Sequence, residues 1–234
     1  MKKARLLKMK INRLSKTIKA FSENIEIDWE KPSPAVKSVP EWFKSITPVD
    51  EEKHDLTIKK CIPVLDSFTT GYLFKTSVDV MYDEEYKRFV DNGLHPEVTF
   101  HPQFQITNME LDNNLHPYPF KWINRFYWKT PKGYSTMFIH PLNRSDLPFY
   151  SLSGIVDTDD FPLSVQFPFF MKKGFSGLIP AGTPIIQAIP FKRDDYNLIF
   201  PEQKESYEYE HFWNWFNPPM AKYKRFFWKR KKYQ

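Results

Sequence analysis

Three carboxylates crowd one short stretch: Asp157, Asp159 and Asp160 lie in GIVDTDDF, where a run of β-type residues ends. Closely spaced carboxylates can orient or deprotonate a water, or work beside a divalent cation held by a phosphorylated substrate. They can equally close a tight turn, accepting backbone N–H groups with their own side chains. Downstream, Gln187 sits in an otherwise apolar run, 185–191, and its amide needs partners if it is buried. Arg144 is the one fixed positive charge in the polar loop 140–146, suited to an anion or to a simple surface ion pair.

The remaining candidate ligands do not assemble into a motif. His95, His101, His116 and His140 each precede a proline, which pushes them to extended backbone. No His-x-His or His-x-x-x-His pair occurs, so chelating spacing is missing and no metal site is expected. Cys61 is the single cysteine, which excludes a disulfide within the chain and a cysteine-based zinc cluster. A lone cysteine also makes an intracellular setting the default. Gly-rich phosphate cradles are absent, in keeping with only 7 glycines. No catalytic motif is complete enough to name a reaction.

The elements that must position these residues read as strands. The 234 residues include 22 Phe, 12 Tyr and 7 Trp, with 20 Pro against few glycines. That mixture favours short, proline-punctuated strands around an aromatic core and argues against disorder. The central stretch 154–193 reads strand, acidic turn, strand, loop, Pro180-Ala181-Gly182 turn, strand. Upstream, Pro131-Lys132-Gly133 is a turn before an alternating strand over 134–139. Strands are also expected at 57–60, 72–74, 78–81, 151–156 and 163–169, a short helix at 63–70 ended by Gly71, and a helical turn within 83–89. The fold expected is mainly β: a compact β-clip or sandwich-like core over 56–195. A proline-rich connector, 29–55, precedes it, and an extension, 196–234, comes after it.

The two ends differ in charge from the body. Residues 1–21 carry eight Lys/Arg and no acid, and residues 222–234 carry seven and no acid. Between them lie 19 basic and all 28 acidic residues, a net of about −9 beneath the chain's overall +6. Within an N-terminal arm, 1–28, residues 1–21 read as an amphipathic helix with Leu7, Ile11, Leu14 and Ile18 on one face. The segment 202–216 reads as an acidic, aromatic helix stopped by Pro218-Pro219. The tail interleaves its bases with Phe226, Phe227 and Trp228, a pattern that clips onto an acidic protein surface or stacks on nucleic-acid bases. The acidic body makes protein the favoured partner. No run of 18 apolar residues predicts a membrane span, and the basic N-terminus lacks the apolar stretch of a secretory signal.

These motifs carry two resemblances. GIVDTDDF with PAGTPIIQAIPF downstream resembles the dUTPase and dCTP-deaminase group, over roughly 40 residues. The resemblance implies a β-clip, with Asp157 at the catalytic carboxylate's place, Asp159 beside it, and Gly182 and Gln187 on the closing strand. Asp160 stands where that group has an aromatic, Phe161 comes one place late, and Arg144-Ser145 lies closer to the turn than the group's Arg-Ser phosphate motif. Over about 32–195, the patterns PEWFK, IKKCIPVLDSFTTGY, TPKGYSTMFIHPLNR, GIVDTD and PAGTPIIQAIPFKR resemble an uncharacterised family of tailed-phage and bacterial proteins. That resemblance implies phage origin, with the chain in the infected host or the virion.

The expectation is therefore a non-enzymatic β-domain for assembly or recognition, a homo-oligomer or virion component needing no cofactor. The alternative is a dUTPase-like enzyme using Asp157 with Mg²⁺. A His-dependent metalloenzyme on a β-scaffold is a third, weaker reading.

Overall fold

The computed structural model describes residues 17–22, 30–200 and 219–234. The chain divides into two compact units: residues 1–35 with 71–193, and residues 36–70 with 194–234. Leu7, Ile11, Leu14 and the segment 202–216 lie outside the described residues.

In the first unit every strand pairing among the described residues is antiparallel. Its strands are β1 (Lys19–Ser22), β2 (Ser33–Pro34), β3 (Tyr72–Lys75), β4 (Val80–Asp83), β5 (Arg88–Asp91), β6 (Val98–Phe100) and β7 (Phe120–Trp122). Then come β8 (Phe126–Lys129), β9 (Tyr134–Ile139), β10 (Phe149–Ser151), β11 (Gly154–Val156), β12 (Phe167–Met171), β13 (Gly177–Ile179) and β14 (Pro184–Lys192). One sheet has the order β11-β9-β14-β3-β2, a second β10-β12-β7-β6, a third β13-β4-β5, and β1 pairs with β8. The expected sandwich-like, mainly β architecture is what forms.

Aromatic residues hold these sheets together. Phe74 and Phe138 of the first sheet each place their ring 5.4 Å from Phe167 of the second. Trp122 stacks on Phe169 at 4.2 Å and 13°, both fully buried. From the third sheet, Tyr82 and Phe89 meet Phe120 at 6.1 and 4.8 Å. Full burial of a phenylalanine, as at Phe74, Phe120, Phe138, Phe167 and Phe169, contributes about 1.5–3 kcal/mol. The strand β14 is central, between β9 and β3, and Pro184–Ala188 are buried without interruption. The nearly continuous apolar run over 185–191 suits such a central strand, covered on both sides.

Several local expectations change. Lys19–Phe21, placed at the end of a helix by the apolar spacing, is strand, registered Lys19↔Lys129 to Ser22↔Phe126. Ile18 packs against the β core instead of marking a helical face there. The strand expected over 151–156 is two strands, since Ser151 pairs with Phe169 in one sheet and Gly154 with Phe138 in another. The stretch 83–89 is a hairpin: β4 and β5 pair, and Asp83 accepts the Tyr86 N–H within the turn.

The second unit carries α1 (Glu41–Ser45), α2 (Ile62–Thr69) and α3 (Pro219–Phe226). Ile58–Lys60, expected as strand, is a 3₁₀ turn leading to α2, and Lys59 donates to the Phe43 and Lys44 carbonyls, both at 2.8 Å, at the end of α1. Those carbonyls have no intrahelical partner, so the ammonium group satisfies them. Trp42 and Phe43 pack on Phe68 at 5.6 and 4.8 Å. Trp228 donates its indole N–H to Asp66 at 3.0 Å, and Lys231 pairs with the same carboxylate. Phe226 and Phe227 are each a little under half exposed.

Candidate functional site

The acidic turn is built by β11 and the four or five residues after it. β11 ends at Val156, the Thr158 N–H returns to the Val156 carbonyl at 2.9 Å, and the Asp160 and Phe161 N–H groups return to Asp157. Thr158 is buried, and its hydroxyl meets those of Thr130 and Thr136, each at 2.8 Å. The Trp128 indole N–H donates to Thr136 at 3.1 Å, which joins this polar knot to the aromatic core. Each hydroxyl has a partner, so the knot fixes the turn without leaving a buried polar group unmet.

That fixed backbone delivers Asp159 to Arg193, at the end of β14. The guanidinium donates to both carboxylate oxygens, at 2.9 and 2.5 Å, while the Gly133 N–H donates at 2.7 Å. The Arg193 N–H in turn donates to the Gly133 carbonyl. One side-chain pair thus ties three segments: the acidic turn, the Pro131-Lys132-Gly133 turn and the end of β14. The Asp159 side chain is only 1% exposed, which alone would favour its neutral form. The Arg193 fork outweighs this and, with the Gly133 N–H, lowers the carboxyl from 3.8 to about 2. Asp159 also raises the Arg193 guanidinium, so both stay charged near neutrality.

Asp157 is placed differently. Its side chain is 68% exposed, and its Oδ1 accepts Ser135 Oγ at 2.6 Å and Arg193 at 3.1 Å. Arg193 also donates to Ser135 Oγ at 3.0 Å. Asp157 is therefore oriented, solvent-facing and beside a cation. A guanidinium already occupies the place between the two aspartates where a divalent cation would have to neutralise them. The pair reads more readily as a fork-bound ion cluster than as a metal cradle.

The other residues singled out from sequence lie elsewhere. Gln187 is buried in β14 and accepts the Leu142 N–H at 2.9 Å. The registers Val156↔Thr136 and Thr136↔Pro190 put Val156 two strands across and three residues along from Gln187, about 14 Å at Cα. Arg144 forms a two-pronged pair with Asp146, with bonds of 2.8 Å from Nε and from NH2. Gly182 lies in the Pro180–Thr183 turn, donating to the Thr76 carbonyl at 2.9 Å. Arg144 and Gly182 both line an open groove of about 560 Å³; neither Asp157 nor Gln187 does.

The histidines take separate roles. His140 accepts the Ser151 N–H on Nδ1 at 3.3 Å and approaches the Arg144 carbonyl through Nε2 at 3.2 Å, and burial pushes its ring towards the neutral form. His116 meets Glu84 at 2.6 Å. Among the described residues, no three His, Cys, Asp or Glu side chains come together as a metal-binding group, and no helix is long and apolar enough to cross a membrane.

Sequence reasoning missed Arg193, Ser135 and Gly133. The only available signal was position: Arg193 closes the same β-rich stretch that contains the aspartates. It also missed Glu97, a nearly buried carboxyl pushed upward by burial, whose backbone N–H donates to Asp91 at 3.1 Å. Comparison with family models, curated proteins and solved structures gave no match.

Proposed function

We propose that this chain is a non-enzymatic β-domain for assembly or recognition, with a phage virion component as its setting. The observation that carries the reading is the Arg193 fork. It commits Asp159 entirely and Asp157 in part to joining three backbone segments, which is a structural use of the motif that first suggested catalysis. The separation of Gln187 and Gly182 from that cluster supports the same reading, because a dUTPase-like site would need them together. The basic tail adds to it, since Trp228 and Lys231 engage a carboxylate as a protein-clipping tail should.

One observation favours the alternative, a nucleotide-hydrolysing enzyme: Asp157 is exposed, held in a fixed orientation and adjacent to Arg193. In that reading Asp157 orients the attacking water, and Mg²⁺ enters bound through the substrate's phosphates.

The deciding experiment incubates the full chain with each nucleoside triphosphate and magnesium and follows pyrophosphate release. The proposal expects none. Turnover that disappears in Asp157→Asn would overturn it. In parallel, light scattering at low and high salt should find an assembly larger than one chain that weakens with salt, as charge-driven association does.

A further inference from the structure

The groove beside β13 has features the assembly reading leaves unused. β13 hydrogen-bonds to β4 on one side and, among the described residues, has no strand on the other. The groove is walled by residues 172–175 and 178–184, which include Leu178 and Ile179 of β13, and by Arg144 and residues 146–148; no residue of β4 lines it. Leu178 and Ile179 thus border the groove, on a strand whose second edge has no strand partner among the described residues. An open edge presents backbone donors and acceptors that another extended chain can pair with.

Three cations and one carboxylate line it, while Glu84 and Asp79 accept the Gly174 and Ala181 N–H groups without themselves lining it. Arg144 is neutralised by Asp146. The ammonium groups of Lys172 and Lys173 instead donate to the neutral carbonyls of Ser145 and Asn113, partners that hold them in place without cancelling their charge. Leu178, about half exposed, and Phe175 supply apolar surface on the same wall. An edge strand, two held cations and an apolar side chain match an extended peptide that alternates acidic and apolar residues.

We infer that this groove binds an acidic, extended peptide segment of a partner protein by strand addition to β13, with Lys172 and Lys173 reading its carboxylates. The inference deepens the recognition role proposed above and rests on it.

The test uses the full chain and a fluorescein-labelled decapeptide of alternating Glu and Val, monitored by fluorescence anisotropy. Saturable micromolar binding is expected, weakening about tenfold or more between 50 and 500 mM salt. Lys172→Glu with Lys173→Glu should weaken it at least about tenfold, as should a peptide N-methylated at alternate residues. Lys173 is exposed, so Lys173→Glu alone provides a variant that folds, with a smaller loss in the same direction. No binding at millimolar peptide would overturn the inference. So would unchanged affinity in the lysine variants or for the N-methylated peptide, or equally tight binding of a Lys-Val decapeptide or an oligo-dT strand. Absent peptide binding without nucleotide turnover removes the groove's role alone; nucleotide turnover removes the recognition reading itself.

Discussion

Gly71→Ala compared with Gly182→Ala isolates how tightly β14 is held. Both glycines have left-handed backbone, with φ of +75° and +80°. An alanine there costs about 1–2 kcal/mol from the Cβ–carbonyl clash, offset by about 0.4–1 from a less flexible unfolded chain. Gly182 has nothing within 4 Å of the added Cβ, so its cost should stay near 1 kcal/mol. At Gly71 the added Cβ would lie 2.2 Å from the Ala188 carbonyl oxygen. That is about 1 Å short of ordinary carbon–oxygen contact. The obstacle is backbone of a central strand whose neighbours Gln187 and Ala188 pair on both sides, so it cannot step back without loosening two ladders. The overpacking adds about 1–3 kcal/mol or more, for a total near 3. Urea unfolding read by tryptophan fluorescence and circular dichroism should move the midpoint of Gly71→Ala at least twice as far as that of Gly182→Ala. Midpoints that coincide within error would refute the close Gly71–Ala188 packing.

The site and the core lead to further expected outcomes. Asp159 is depressed from 3.8 to about 2 in the fold, so its stabilisation is fully present above about pH 4 and is lost as pH falls through 2. The urea midpoints of the native chain and Asp159→Asn should therefore differ at pH 6 and converge between pH 4 and 2; a constant difference would show that the Arg193 pair is not formed. Trp122→Ala should cost about 3–5 kcal/mol by denaturant unfolding. Trp122→Phe should cost much less, because the buried indole N–H has no hydrogen-bond partner among the described residues to lose. Asp66→Ala should release Trp228 and Lys231, seen as faster tryptic cleavage within 222–232; unchanged cleavage would show the tail is held otherwise.

Much of the architecture was legible because aromatic and β-branched residues alternate between proline and glycine breaks. The 131–133 and 180–182 turns, the strand over Tyr134–Ile139 and the helix Ile62–Thr69 all fall where local chemistry places them. Lys19–Phe21 did not, because a helical spacing of apolar residues is weaker than a ladder available from β8. Ile58–Lys60 was misread for a related reason: three residues are too few for period to separate strand from 3₁₀ turn.

The candidate site divides along the same line. By itself, the sequence determined that three carboxylates would share a turn, that no His-x-His or His-x-x-x-His spacing occurs, and that the basic ends flank an acidic body. Those are local or additive properties, set by which residues are neighbours and how many charges there are. Only the tertiary structure decided that Arg193, over thirty residues downstream, neutralises Asp159, that Gln187 serves the Leu142 backbone, and that Arg144 and Gly182 belong to a groove at β13. Strand registers set those meetings, and register depends on how whole sheets bury their aromatic faces, a choice made by packing across the molecule instead of by any short stretch of chain.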